Sequence, residues 1–290
     1  MDGSLRSFRA SDRETALELS RRALAREEEQ VGSPLWSSLA EVDAELGSLE
    51  APATETLRVI DDEGRPAAFG GVELEDEAVV FGPLVAPAVR GRKFGTLLLD
   101  ASLELAREHG VERLSASVGA HNAGGRLLLE RSGFRRLGGL RAVYRLLPGR
   151  HRPVAVPKRG VATRPAEAHD VEPVLELCHA CFVGSTVSDD SWRRGIDRGH
   201  VRLAEEGGRP VALVRIDPAR RRVFHCVAED ARARGIGGFV LSEVLEGYWE
   251  SHPDEPLRLA APAENLSAAR LYRRQGFAPW LLLQPYELPL

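Results

Sequence analysis

The sequence predicts an α/β protein built twice over: a mixed α+β sheet with helices on both faces, in two tandem copies. Three observations carry this. Strand-like and helix-like runs alternate along the 290 residues. The same order recurs in both halves, with Asn122 and Asn265 offset by 143 and Arg90 and Arg232 by 142. In each half an apolar strand enters a glycine-bearing loop that opens a helix, and a later helix ends in Gly-Phe.

The elements follow in pairs. Residues 4–9 and 16–26 read as a short strand and an amphipathic helix, as do 161–164 and 171–182. Residues 57–60 and 67–72 flank an Asp-Glu-Gly turn, and 201–204 and 211–216 flank Gly207-Gly208, so each pair reads as a hairpin. Apolar β-like runs follow at 79–85 and 223–227, then helices at 96–108 and 238–249. Strands at 113–118 and 257–260 lead to helices at 122–132 and 265–275, each stopped by a glycine. A further helix is expected at 192–199. Residues 147–160 hold three prolines and two glycines and read as a linker. The expected domains are therefore 1–154, a degenerate copy, and 155–290, a catalytic one.

Composition narrows the function. The chain is 43% hydrophobic and 28% charged, with a formal net charge of -4, which favours neither nucleic acid nor an anionic membrane as partner. No apolar run approaches the length of a membrane span, and the first residues lack a secretory core. Three cysteines make no disulfide framework. A reducing cytoplasm is expected, and the Arg, Ala and Leu richness hints at a GC-rich bacterial genome. Cys178 and Cys181 form C-x-x-C without a second pair, so packing is expected there rather than a metal site, and Cys226 reads as strand core.

The stretch 228–277 organises the chain. Arg232-Ala233-Arg234-Gly235-Ile236-Gly237-Gly238 joins a strand to a helix, an arrangement that aims backbone N–H groups and a helix dipole at one spot. Gly235 and Gly237 are expected to let that backbone approach an anion. With the distal Asn265, Ala268, Leu271, Tyr272, Gly276 and Phe277, the pattern R-x-x-G-x-G … N-x-x-A-x-x-L-Y-x-x-x-G-F resembles the GNAT superfamily of N-acetyltransferases. The resemblance covers nearly the whole chain as a tandem pair. It implies acetyl-CoA as co-substrate, held in a V between two splayed central strands, and a small-molecule or peptide amine as acceptor. A monomer or homodimer is expected. The alternative is a non-catalytic acyl-CoA-binding or regulatory protein.

The chemistry sets the roles. An alkylamine of pKa ~10.4 is neutral in only about one molecule in 2,500 at pH 7, so a base or water relay is needed. His225, on the strand before the loop, and Glu229, just beyond it, are the candidates, with a water chain as the third option. Tyr272 stands where the family places the acid that protonates the departing thiolate. The N–H of Val227 is the expected oxyanion donor. The loop 232–238 is expected to hold the pyrophosphate, with Arg232 or Arg234 facing it. Asn265 is expected as cofactor contact, helix cap, or both. Asp189 and Asp190 read as a helix cap or a hold on a cationic substrate, beside a stretch, 184–190, that shapes the acceptor pocket in the family. Arg220 to Arg222 read as a solvated turn.

The first half departs from the pattern. Arg90-Gly91-Arg92-Lys93-Phe94-Gly95 keeps the loop, with Lys93 where the second half has Gly235. Leu129 replaces Tyr272 and has no proton to give. This half is expected either to retain cofactor binding without turnover or to serve only as a structural partner.

Overall fold

The computed structural model describes residues 3–74, 78–154, 160–181 and 189–290. The chain folds into two compact units, one of residues 1–141 with 281–290 and one of residues 142–280. The cut expected near residue 155 therefore does not divide the fold. The strand that follows the first copy lies in the second unit, and the last strand of the chain lies in the first.

The elements of the first half are β1 (Gly3–Ser7), α1 (Arg13–Ala25), α2 (Leu39–Ser48), α3 (Ala53–Thr56), β2 (Leu57–Asp62), β3 (Arg65–Leu74), β4 (Ala78–Val85), α4 (Phe94–Glu108), β5 (Arg113–Gly119), α5 (Ala123–Arg131) and β6 (Arg135–Arg136). After β7 (Arg141–Leu146) the order repeats: β8 (Val161–Pro165), α6 (Val171–Cys181), α7 (Asp189–Asp197), β9 (Val201–Glu206), β10 (Arg209–Asp217), β11 (Arg222–Val227), α8 (Ile236–Ser251), β12 (Leu257–Pro262), α9 (Leu266–Arg274) and β13 (Ala278–Pro289). The paired periodicities are observed. Helix α7 starts three residues earlier than the expected 192, and α2, β6, β7 and β13 were not among the expected elements.

In the first unit β1, β2, β3 and β4 pair antiparallel in sequence order. Strand β5 then pairs parallel with β4, and antiparallel with β13 from Gly119↔Leu283 to Arg113↔Pro289. In the second unit the order is β8-β9-β10-β11-β12-β7. Helices α4 and α8 bury one face each. Leu98, Leu99 and Ala106 on α4, and Val240, Leu241 and Leu245 on α8, are fully buried. Arg220 and Arg221 are buried rather than solvated. Asp217 and Glu255 neutralise them at 3.2 and 3.0 Å.

The repeat extends to one ion triad. Arg6 bridges Asp12 (2.7 Å) and Asp61 (2.6 Å), and Arg164 bridges Asp170 and Glu205, both at 2.6 Å. Each central aspartate also accepts a backbone N–H three residues back, from Arg9 and Glu167. The Arg164 guanidinium, helped by that N–H, holds the buried Asp170 carboxyl down at about 2. A carboxylate held low contributes stability that is present above its unfolded pKa and lost as pH falls through the folded value. Asp170→Asn is expected to remove about 2 kcal/mol at neutral pH and to flatten the acid limb between pH ~4 and ~2, read by urea unfolding across pH.

Candidate functional site

Two central strands part in each unit. Strands β11 and β12 pair in parallel at Arg222↔Arg258, and β4 and β5 at Ala78↔Leu114 and Val79↔Ser115. Beyond those residues the strands diverge. The register fixes what faces the gap. The Ala228 N–H donates to Val211 C=O at 2.8 Å, so Val227, opposite Ala212, sits at a non-bonded position toward β10. Its N–H points into the split. Ala86 N–H to Ala67 C=O (2.9 Å) orients Val85 in the same way.

The loops that follow share one backbone. Gly91 and Lys93 have φ of 80° and 65°, and Ala233 and Gly235 have 60° and 85°. Each loop thus needs the left-handed region twice, and each supplies glycine at a different one of the two places. The non-glycine partner, Lys93 or Ala233, sits there at a cost of roughly 1–2 kcal/mol. The first helical hydrogen bonds run from Leu97 to Lys93 (3.0 Å) and from Phe239 to Gly235 (3.1 Å). Phe94, Gly95 and Thr96, and Ile236, Gly237 and Gly238, are left with N–H groups that have no helical acceptor. Three donors at the positive end of a long helix make an anion site.

Gly237 has a different reason from the expected one. A Cβ there would lie 2.7 Å from Val227 Cγ2 and 2.9 Å from His225 Nε2. Its role is to let α8 press onto β11. At the matching Gly95 the nearest atom would be 3.4 Å away. The side chains of Ile236 and Phe94 are core.

The arginines are also placed otherwise than expected. Arg234 pairs with Glu206, and Arg92 pairs with Asp62 at 2.7 Å and lies over the Phe94 ring. Arg90 grips Glu29 through both terminal nitrogens at 2.8 and 2.9 Å, and holds that carboxyl below its usual range. Arg232 donates to Val227 C=O at 3.1 Å. Lys93 has no ion pair among the described residues. The guanidinium groups of Arg90, Arg92 and Arg234 are thus ion-paired.

In the second unit the Tyr272 ring is 5% exposed and packs on Tyr144 (5.6 Å), Phe277 (6.0 Å) and His225 (6.1 Å). Burial raises the phenol's pKa. Its hydroxyl makes no hydrogen bond among the described residues. His225 Nε2 is enclosed and also lacks a partner. Burial, opposed in part by the Gly237 backbone, pushes this imidazole down to about 4. One buried polar atom, His225 Nε2, thus stands unsatisfied, with the Tyr272 ring edge-on to the imidazole. Glu229 is exposed and opens a short 3-10 turn. Asn265 is a helix cap, accepting Ala268 N–H at 3.0 Å, as Asn122 accepts Gly125 N–H at 2.8 Å. Tyr144 gave no signal in the sequence because it belongs to a strand outside the repeated motif.

The three cysteines converge on this side of the second unit. Cys178 and Cys226 are buried, and Cys181 donates to Val227 C=O at 3.4 Å. Burial and mutual contact raise the Cys181 and Cys226 thiols. Asp189 opens α7 and bonds His179 at 2.8 Å. The acceptor-side stretch expected at 184–190 lies outside the described residues up to 188.

The first unit contains a cavity of about 430 Å³ lined by Arg90, Lys93, Gly95, Val118, Asn122 and Leu129, among others. One side is tied across. Gly32 N–H donates to Ser117 C=O (2.7 Å), Gly119 N–H to Gln30 C=O (2.8 Å), and Gly82 N–H to Ser33 C=O (2.8 Å). Residues 30–33 therefore bond both diverging strands. Nothing in the sequence signalled this crossing segment. No cluster of metal-ligating side chains occurs among the described residues.

A split parallel pair with an anion-binding helix start, present twice, defines a tandem acyl-CoA transferase fold. The description "Acetyltransferase (GNAT) family" matches residues 22–134, and "Acetyltransferase (GNAT) domain" matches residues 197–279, together more than half of the chain. The chain belongs to the GNAT acetyltransferase family and carries its domain twice. No curated protein matches it in sequence. Among solved structures, it is similar to a GCN5-related N-acetyltransferase from Sphaerobacter thermophilus (20% identity, TM-score 0.74, 99% of this chain and 95% of that one). It is also similar to a tandem GNAT protein from the clavulanic acid biosynthesis pathway (20%, 0.65, 99% and 98%). A GNAT-family acetyltransferase from Colwellia psychrerythraea shares the fold at 11% identity (0.54, 98% and 99%). At these identities the likeness is one of fold. No described helix is long and apolar enough to cross a membrane.

Gly237→Ala is expected to cost roughly 1–3 kcal/mol, because Val227 and His225 are held in a packed wall. Gly95→Ala is expected to cost distinctly less, and thermal unfolding of the two variants compares them.

Proposed function

We propose that the chain is an acetyl-CoA-dependent N-acetyltransferase whose second unit carries the chemistry, acting on a small-molecule or peptide amine. The observation behind this reading is the Tyr272 phenol, which makes no hydrogen bond among the described residues and stands 6.1 Å from the His225 ring, beside the split that Val227 N–H faces. Acetyl-CoA supplies an activated acyl carbon and a thiolate leaving group. Its diphosphate fits the three free N–H groups of residues 236–238.

The residues then divide the work. Val227 N–H faces the place where a carbonyl oxygen gains charge during attack, and is pre-aligned by the sheet. Tyr272 is protonated at neutral pH and holds a donor free for the departing sulfur. The burial that weakens the phenol as an acid also raises a thiolate's pKa, so the two remain matched. His225 is a poor resting place for the amine's proton. At about 4, taking a proton from an alkylammonium is roughly 9 kcal/mol uphill. The proton leaves instead through water toward the exposed end of β11, where Glu229 stands. His225 acts as a neutral polar wall of the pocket.

The first unit holds acyl-CoA without turning it over. Its cavity and loop are in place, but Leu129 offers no proton and residues 30–33 cross the side from which an amine would come. The alternative of a purely non-catalytic acyl-CoA-binding protein predicts stabilisation by CoA with no thiol release.

Tyr272→Phe is expected to lower kcat by roughly 10²–10⁴-fold, with CoA affinity within about twofold of wild type. Thiol release from acetyl-CoA across an amine panel, with calorimetric CoA binding, measures both. An unchanged kcat removes Tyr272 from the chemistry.

A further inference from the structure

One contact repeats in both units without being required by the anion site. Five residues after the last residue of the diverging strand stands an arginine, returned by a short 3-10 turn (Pro87–Val89 or Glu229–Ala231). In the first unit Arg90 Nε donates to Val85 C=O at 3.2 Å. In the second, Arg232 Nε donates to Val227 C=O at 3.1 Å. These carbonyls lie on the side of the strand where no neighbouring strand reaches. Unbraced, Val85 C=O would be an orphan acceptor and Val227 C=O would keep only a weak thiol donor. The terminal nitrogens have other work in the two units. Those of Arg90 grip Glu29, while the Arg232 guanidinium meets the Cys181 thiol, itself a donor to the same carbonyl.

We infer that Arg232 is a positioning residue rather than a phosphate ligand: its Nε pins Val227 C=O, fixes the backbone of that residue, and so aims the Val227 N–H into the split. The brace stands on the geometry alone. Its consequence for rate rests on the transfer reading above.

Side-chain length separates the two roles. Glutamine carries an N–H donor the same number of bonds from Cα as arginine Nε, without the charge. Lysine keeps the charge one atom further out and has no nitrogen at that place. Methionine has neither. In the cofactor-free full chain, amide exchange at Ala228 is expected to quicken about tenfold in Arg232→Met and Arg232→Lys, and Arg232→Gln is expected to restore protection. CoA affinity by calorimetry is expected to stay within about threefold in all three variants. With a reactive amine, kcat is expected to fall about tenfold in the Met and Lys variants at unchanged KM for acetyl-CoA, with rescue in the Gln variant.

The inference fails if exchange at Ala228 is the same in all variants. It also fails if Lys keeps CoA affinity while Gln and Met lose it, the pattern of a phosphate ligand. If the wild-type chain turns over no amine, exchange and affinity still judge the brace, and the transfer reading alone falls.

Discussion

The split between two parallel strands governs both units. Strand β11 leaves β12 after Arg222↔Arg258, and β4 leaves β5 after Val79↔Ser115. Backbone groups that face the gap past that point lose the partner a sheet would supply. Buried N–H and C=O groups need partners, so the surroundings are arranged around this deficit. A 3-10 turn and an arginine return to cover the carbonyl. A helix begins where its own free N–H groups can complete an anion site. The N–H of Val227 is left for whatever enters.

Much of this was legible in the sequence because it is local. A strand running into a glycine-bearing loop and an apolar helix needs one continuous stretch, and the offset between the halves repeats it. Asn265 caps its helix, one of the two roles its sequence position suggested, and Asn122 does the same in the first half. What escaped depends on distant partners. Arg234 finds Glu206 and Arg90 finds Glu29 across the fold, pairings that no single stretch of sequence displays. Gly237 looked like a loop glycine, but its meaning lies in His225 and Val227, one strand away. Helix α2 lies in the first half where α7 lies in the second, although only the second was expected, and the crossing at 30–33 carries no periodic pattern.

The two units use one frame for different ends. Leu129, which stands where the second unit has Tyr272, is buried and apolar and has no proton to give. The contacts of Gln30, Gly32 and Ser33 satisfy backbone groups that the split would otherwise leave open. In the second unit His225 Nε2 stays unsatisfied inside a packed wall. An unmade buried hydrogen bond costs about 1–3 kcal/mol. A fold that keeps one there forgoes that much stability.

The exchanged last strand bears on how the molecule is made. Strand β5 of the first unit pairs with residues 283–289, which are translated only after the second unit. Synthesis runs at about 5–20 residues per second, and early domains commonly fold as they emerge. Here the leading unit waits with an open sheet edge until the second unit has been translated. The seam between repeats is therefore not a seam in assembly, and a gene cut at that seam would give each half the other's closing strand.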